Sequence, residues 1–157
     1  MLRISKLTDY GTVLLAELAT AGESRVVSAA ELSAQTGIGL PTVSKLLKLL
    51  GRGGIVSATR GAGGGYQLAR PPASISAADI IDSVEGPVSI TECSSEESQC
   101  DYEDVCNVGG AWQRINKAIR SALDDVTLAD LVTGSRSKEH SEFAGVPVHV
   151  EPLAKKN

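Results

Sequence analysis

Residues 35–70 read QTGIGLPTVSKLLKLLGRGGIVSATRGAGGGYQLAR, and the fold is decided there. The middle of the stretch is helical. Pro41 suits a first helical turn, where its missing N–H has no partner to lose. Val43, Leu46, Leu47 and Leu50 recur at i, i+3, i+4 and i+7, which makes one apolar stripe. Thr42, Ser44, Lys45, Lys48 and Arg52 fall outside that stripe, and Gly53–Gly54 end the helix. IVSAT then reads as a short strand with β-branched residues. RGAGGG is too rich in glycine for the interior of any regular element, so it is a turn, and YQLAR is the returning strand. The result is a β-hairpin with a glycine tip.

Working outward, ISKLTDYGTVLLAELAT places Leu7, Val13 or Leu14, and Leu18 at helical spacing and predicts a helix from about Thr8 to Thr20. Ser28 with Glu31 three residues on forms a capping box for a short helix that Gly37 stops. Helix, short helix, glycine turn, helix and hairpin make a winged helix-turn-helix, with QTGIGLPTV as the turn between its two helices. The second helix of such a motif lies in the DNA major groove, and here it presents Thr42, Ser44, Lys45 and Lys48. Arg60 and Arg70 bracket the hairpin, within reach of phosphates or a minor groove. A dinucleotide-binding loop is excluded, because the glycines would have to open a helix and YQLARPP cannot begin one. A phosphate-loop pattern fails too, since no Lys-Ser/Thr follows the glycines.

Beyond the hairpin, PPAS breaks the chain. SAADIIDSVEG is a helix capped by Ser76, with Asp79 in its first turn. GGAWQRINKAIRSALDDV is a long amphipathic helix whose stripe comprises Trp112, Ile115, Ile119, Ala122, Leu123 and Val126. Thr127 caps a last short helix, LADLV, and from Gly134 onward the pattern fails. The charge is divided along the same lines. Residues 1–72 carry eight Lys/Arg against four Asp/Glu, net +4; residues 73–134 carry three against twelve, net −9; residues 135–157 carry four against three, net +1. The overall charge of −4 therefore hides a basic block suited to phosphate and an acidic block that DNA would repel.

The 157 residues, 42% hydrophobic and only 3% aromatic, support a packed core built mainly from Leu, Ile, Val and Ala. No run approaches the ~20 apolar residues of a membrane span, and MLRISKLTDYG lacks a secretory apolar run. The chain is accordingly read as cytoplasmic, where a disulfide framework is unexpected. That gives its three cysteines another purpose. Cys93, Cys100 and Cys106 are spaced C-x6-C-x5-C. Zinc ribbons use paired C-x2-C knuckles, which are absent, and soft thiolates on a wide loop suit an iron–sulfur cluster better. The acidic residues among them do not favour an anionic cluster. They suit a loop that orders with its metal and frays without it. A cysteine enzyme is excluded because the nucleophile needs a base nearby, and His140 and His149 both lie in the tail.

LRISKLTDYG, GIGLPTVSKLLKLL, TRGAGGGYQLAR, ISAADIIDSVEG, the three cysteines and VTLADLV together resemble a known family over residues 1 to about 132. It is the bacterial winged-helix iron–sulfur regulators of the IscR and NsrR type, and the start and the cysteine spacing are most similar to regulators of the SUF cluster-assembly operon. The resemblance implies a repressor of cluster-assembly genes that binds a double-stranded DNA operator as a homodimer. Trp112, Ile115 and Ile119 would lie at or near the dimer seam, and two-fold symmetry suits a palindromic operator. It implies that Cys93, Cys100 and Cys106 ligate a 2Fe–2S or 4Fe–4S cluster. Several members place a His three residues after the third cysteine, where this chain has Gly109. Asp101, Glu103, Asp104 and Asn107 are near, but the resemblance favours Asp9 of the other protomer as the fourth ligand. Ser44 stands where IscR-like regulators can carry an acidic residue that discriminates between operators. A nitric oxide or redox sensor on the same scaffold and a zinc-binding regulatory module stay open as alternatives. The expected architecture is mainly α: a winged helix-turn-helix DNA-binding domain over 1–72, a cysteine-bearing cluster loop and long dimerisation helix over 73–133, and a flexible tail over 134–157.

Overall fold

A computed structural model describes residues 4–22, 25–61, 63–91 and 109–134. Among the described residues, six helices and one hairpin follow in the order α1 (Lys6–Ala21), α2 (Ala29–Thr36), α3 (Leu40–Arg52), β1 (Val56–Thr59), β2 (Gly65–Leu68), α4 (Ala77–Glu85), α5 (Gly109–Asp124) and α6 (Leu128–Gly134), with a 3₁₀ turn at Pro72–Ser74. The mainly helical winged helix-turn-helix is as expected. Cysteines 93, 100 and 106 and the tail from residue 135 lie outside the described residues.

Local chemistry accounts for the helix starts. Ser5 Oγ accepts from Thr8 N at 3.3 Å and starts α1 two residues before the expected Thr8. At α2, Ser28 Oγ accepts from Glu31 N at 3.2 Å and Glu31 Oε2 accepts from Ser28 N at 2.8 Å, the reciprocal capping box. Ser76 and Asp79 repeat the device at α4. Thr127 caps α6 by accepting from Asp130 N at 3.2 Å. The α3 helix begins on Gly39 with Pro41 in its first turn.

β1 and β2 pair antiparallel with Val56 opposite Leu68 and Thr59 opposite Gly65. The hairpin gains a third, one-residue partner that the sequence pattern does not announce. Val27 N donates to Tyr66 O at 2.9 Å, and Tyr66 N donates to Val27 O at 2.8 Å. The wing is thereby fastened to the segment that enters α2.

One core holds these pieces together. Leu14 and Leu15 of α1, Leu32 of α2, Val43, Leu46, Leu47 and Leu50 of α3, and Ile55 are all essentially without solvent exposure. Ile75, Ile80 and Leu128 join the same cluster, so the core crosses the division expected at residue 72. The crossing has a backbone basis. Ala77 N donates to Val126 O and Leu128 N to Ile75 O, each at 2.8 Å, and these bonds return the chain after α5 to the start of α4. The α6 helix then packs on α1 and the 3₁₀ turn.

The α5 helix is attached differently. None of its residues is buried. It is held to the rest of the chain by polar ties: Arg120 straddles the Asp82 carboxylate at 3.0 and 2.7 Å, and Asn116 Nδ2 donates to Val88 O at 3.2 Å. Its apolar stripe is only partly covered, with Trp112 39% and Ile115 45% exposed.

Candidate nucleic-acid interface

The two faces of α3 separate cleanly. Val43, Leu46, Leu47 and Leu50 fix the helix in the core, which turns Ser44, Lys45 and Lys48 outward. Pro41, Ser44, Lys45, Lys48, Leu49 and Arg52 line a shallow depression on that outer face. No acidic residue occurs on α3, so the face is uniformly basic. Thr42 is half-buried beside it. Arg52 completes this surface and was not among the expected DNA-contacting residues. Its signal was present, because it sits four residues after Lys48 and therefore on the same side of the helix.

The wing carries the second basic position. Arg60 is exposed at the hairpin tip, next to Gly61, Gly63 and Gly64. Gly64 is obligatory there: a Cβ on it would stand 2.3 Å from Thr59 O and 2.9 Å from the carbonyl carbon of Arg60. Only a chain without side chains can turn this tightly and still bring its backbone near a phosphate.

Arg70, expected to reach DNA, is engaged within the fold. Its Nη2 lies 3.0 Å from Asp79 Oδ2 and its Nη1 donates to Ser74 O at 2.8 Å. The same Asp79 oxygen accepts from Ser76 N at 3.1 Å in the α4 capping box. The physical reason is that the chain folds back at Pro71–Pro72 and sets the end of the hairpin against a carboxylate already oriented by the helix start. Arg70 thus anchors the hairpin to α4.

Asp79 is one of a set of ties along α4. Asp82 holds Arg120 of α5. Ser83 lies against Gly53 at the end of α3, where a Cβ on the glycine would come 2.0 Å from Ser83 Oγ. Glu85 accepts from Ser5 N at 3.1 Å and from the Thr8 hydroxyl at the start of α1. The Thr8 hydroxyl first, and then Ser5, hold the Glu85 carboxyl below the usual carboxylate range. One short helix therefore joins the wing, the recognition helix, the first helix and α5, immediately ahead of the segment that leads to the cysteines.

Asp9 is exposed in the first turn of α1, on the same helix end as the Glu85 contacts. Among the described residues no group of three or more His, Cys, Asp or Glu could hold a metal ion. The donor chemistry of the cysteine segment, three thiols within fourteen residues, fits an iron–sulfur cluster. Among the described residues no helix is long and apolar enough to cross a membrane.

Residues 4–134 match the Rrf2 family, described as an iron-dependent transcriptional regulator. The chain is 34% identical over 153 residues, 94% of its length and 93% of the other's, to ORF2 of Azotobacter vinelandii, described as an HTH-type transcriptional regulator. Among solved structures it is similar to CymR, the global cysteine regulator of B. subtilis, with a TM-score of 0.66 and 33% identity, covering 85% of this chain and 98% of that one. It is also similar to IscR of T. potens, with a TM-score of 0.63 and 29% identity, covering 85% and 88%. These relatives are transcriptional regulators, not enzymes.

Proposed function

This chain belongs to the Rrf2 family of DNA-binding transcriptional regulators, and from that premise we propose that it is an iron–sulfur-dependent repressor of cluster-assembly genes of the SUF type, acting as a homodimer. The observation that carries the cluster is the set Cys93, Cys100 and Cys106 in a family described as iron-dependent. When bound, such a cluster supplies iron that reacts with oxygen and nitric oxide. The thiolates of the three cysteines hold it, and Asp9 of the other protomer offers the fourth ligand.

The chain's own residues do the rest. Lys45, Lys48 and Arg52, with Thr42 and Ser44, face the major groove, where the lysines and arginine neutralise phosphates and the hydroxyls meet base edges. Arg60 adds a phosphate or minor-groove contact from the wing. Ser44 carries no charge, so it cannot reject an operator by repulsion. Trp112, Ile115 and Ile119 join the two copies, and the joint sets the spacing of the two recognition helices on a palindrome. The likeness to Staphylococcus aureus CymR, solved in an oxidized form and 30% identical, supports a second reading on the same scaffold, in which the thiols themselves respond to redox state.

Metal analysis separates these. Protein isolated without oxygen is expected to be brown and to contain iron and acid-labile sulfide in comparable amounts. Replacing any one of the three cysteines by Ala bleaches it while the dimer persists. Colourless protein containing zinc, or protein with no metal and reversible disulfides, overturns the cluster reading in favour of the zinc module or the thiol sensor.

A further inference from the structure

The first turn of α3 differs from the rest of its outer face. Lys45, Lys48 and Arg52 supply the charge of that face, and all three lie beyond the first turn. The turn itself, Leu40 to Val43, carries no charge. Val43 is buried in the core, while Leu40 is 45% exposed and Pro41 is exposed beside it. Leu46, Leu47 and Leu50 of the same helix are essentially without solvent exposure. An exposed leucine alone is ordinary. Two adjacent apolar side chains at the leading end of a basic helix face instead complement a partner that is apolar at one point and anionic around it.

The turn is poorly equipped for phosphate. Pro41 has no N–H, and the N–H groups of Thr42 and Val43 donate to Gly39 O at 2.9 and 3.1 Å. Gly39 opens the helix without a side-chain cap. At ~100° per residue, Ser44 falls about 40° from Leu40 and about 60° from Pro41, one turn further on. A hydroxyl is thereby set behind and between two apolar groups. Pro41 and Ser44 line the same depression as Lys45 and Lys48.

We infer that Leu40 and Pro41 read the C5-methyl group of a thymine in the major groove, with the Ser44 hydroxyl donating to O4 of that thymine or to N7 of its adenine. The inference rests on the reading of α3 as the recognition helix and names the base pair that its leading end selects. In such a helix the N-terminal residues are the ones that meet base edges. Among the groups that unmodified DNA presents in the major groove, the thymine methyl is the apolar one. Guanine is read by a long side chain rich in donors, Arg or Lys, and the first turn has neither. Lys45, Lys48 and Arg52 are left to the flanking phosphates.

The test uses the full chain, isolated without oxygen, and an operator that it selects from random duplexes. Each thymine of that operator is replaced singly by deoxyuridine, which lacks the methyl group and keeps every hydrogen-bonding atom. Fluorescence anisotropy then reads the affinity of each duplex for wild-type protein, Leu40→Ala and Pro41→Ala. The inference expects at least one thymine at which deoxyuridine weakens wild-type binding by about four-fold, the contribution of one buried methyl group. At that position, and not at the others, the loss shrinks toward none in Leu40→Ala or Pro41→Ala, a coupling that a merely structural role for the two residues would not produce. Both side chains are exposed, and the wild-type comparison needs no variant to fold. Wild-type affinity that is indifferent to every methyl group overturns the inference, and so does a methyl-sensitive thymine whose loss is the same in both variants. In either case selective binding through a basic α3 face stands. Protein that selects no duplex removes the recognition-helix reading itself, and this inference with it.

Discussion

Thr8 is the one polar side chain among the described residues of the core, 2% exposed, and its hydroxyl is satisfied by Glu85 from the far side of the chain. The carboxylate also sits at the N-terminus of α1, where a negative charge is favoured by the helix dipole. Because the folded state lowers the Glu85 pKa, its ionised form stabilises the fold above the unfolded value. That contribution is lost as pH falls through the lower, folded value. Wild-type protein should therefore be more stable than Glu85→Gln near pH 7, and thermal melts of the two should converge as pH falls through the lowered, folded-state value, below the ordinary carboxylate range; a difference that is constant with pH would show that the charge is not what matters. The arginines give a second test at this scale. Arg60→Ala should weaken operator binding and reduce the slope of log K against log salt by about 1, the loss of one phosphate contact. Arg70→Ala should weaken binding with the slope unchanged, since its guanidinium is already paired with Asp79. Equal slope losses in the two variants would return Arg70 to the phosphate backbone. Sequence reasoning identified Arg70 as basic and near the wing, but its partner Asp79 lies nine residues on, past two prolines, and only the fold-back brings them together.

At the scale of elements, what the sequence made legible is what local chemistry determines. Ser28 with Glu31, Ser76 with Asp79 and Thr127 with Asp130 are spaced to bond within one turn, so the helix starts could be read directly. The apolar stripe of α3 likewise foretold which face would be buried. The bridge between Val27 and Tyr66 and the return of α6 to the start of α4 were not legible. Both join segments about 39 and 51 residues apart through backbone atoms that every residue possesses. The contact of α3 with α4 belongs here too. Gly53→Ala would drive a Cβ to 2.7 Å from Ser83 Cβ and 2.0 Å from its Oγ, and the strain should destabilise the protein by about 1–3 kcal/mol. Adding Ser83→Gly should restore part of that loss, a coupling that chemical denaturation of the single and double variants would detect. Additive losses would mean that the two helices do not meet at this point.

For the whole molecule, the divided charge and the divided attachment describe one design. The basic half carries the helix-turn-helix and wing, while the acidic half carries the cysteines and a helix fastened to the rest of the chain by an ion pair and a hydrogen bond. The ties of α4 to the wing, α3, α1 and α5 give the segment after Glu85 a mechanical route to each of these elements. The fold and the basic outer face of α3 were legible from 157 residues because periodicity and charge report them. The geometry around the cysteines was not, because the sequence there shows neither helical nor strand periodicity. The central claim is that the state of the cysteine centre sets DNA affinity, and one measurement addresses it most directly. An operator is selected from random duplexes with protein isolated without oxygen, and its affinity is measured by fluorescence anisotropy for that protein and for the Cys93→Ser, Cys100→Ser, Cys106→Ser variant at one salt concentration. The account predicts affinities that differ by about ten-fold or more, within the ~5–150-fold span usual for coupled sites. Affinities that agree within error, with both proteins dimeric, would contradict it.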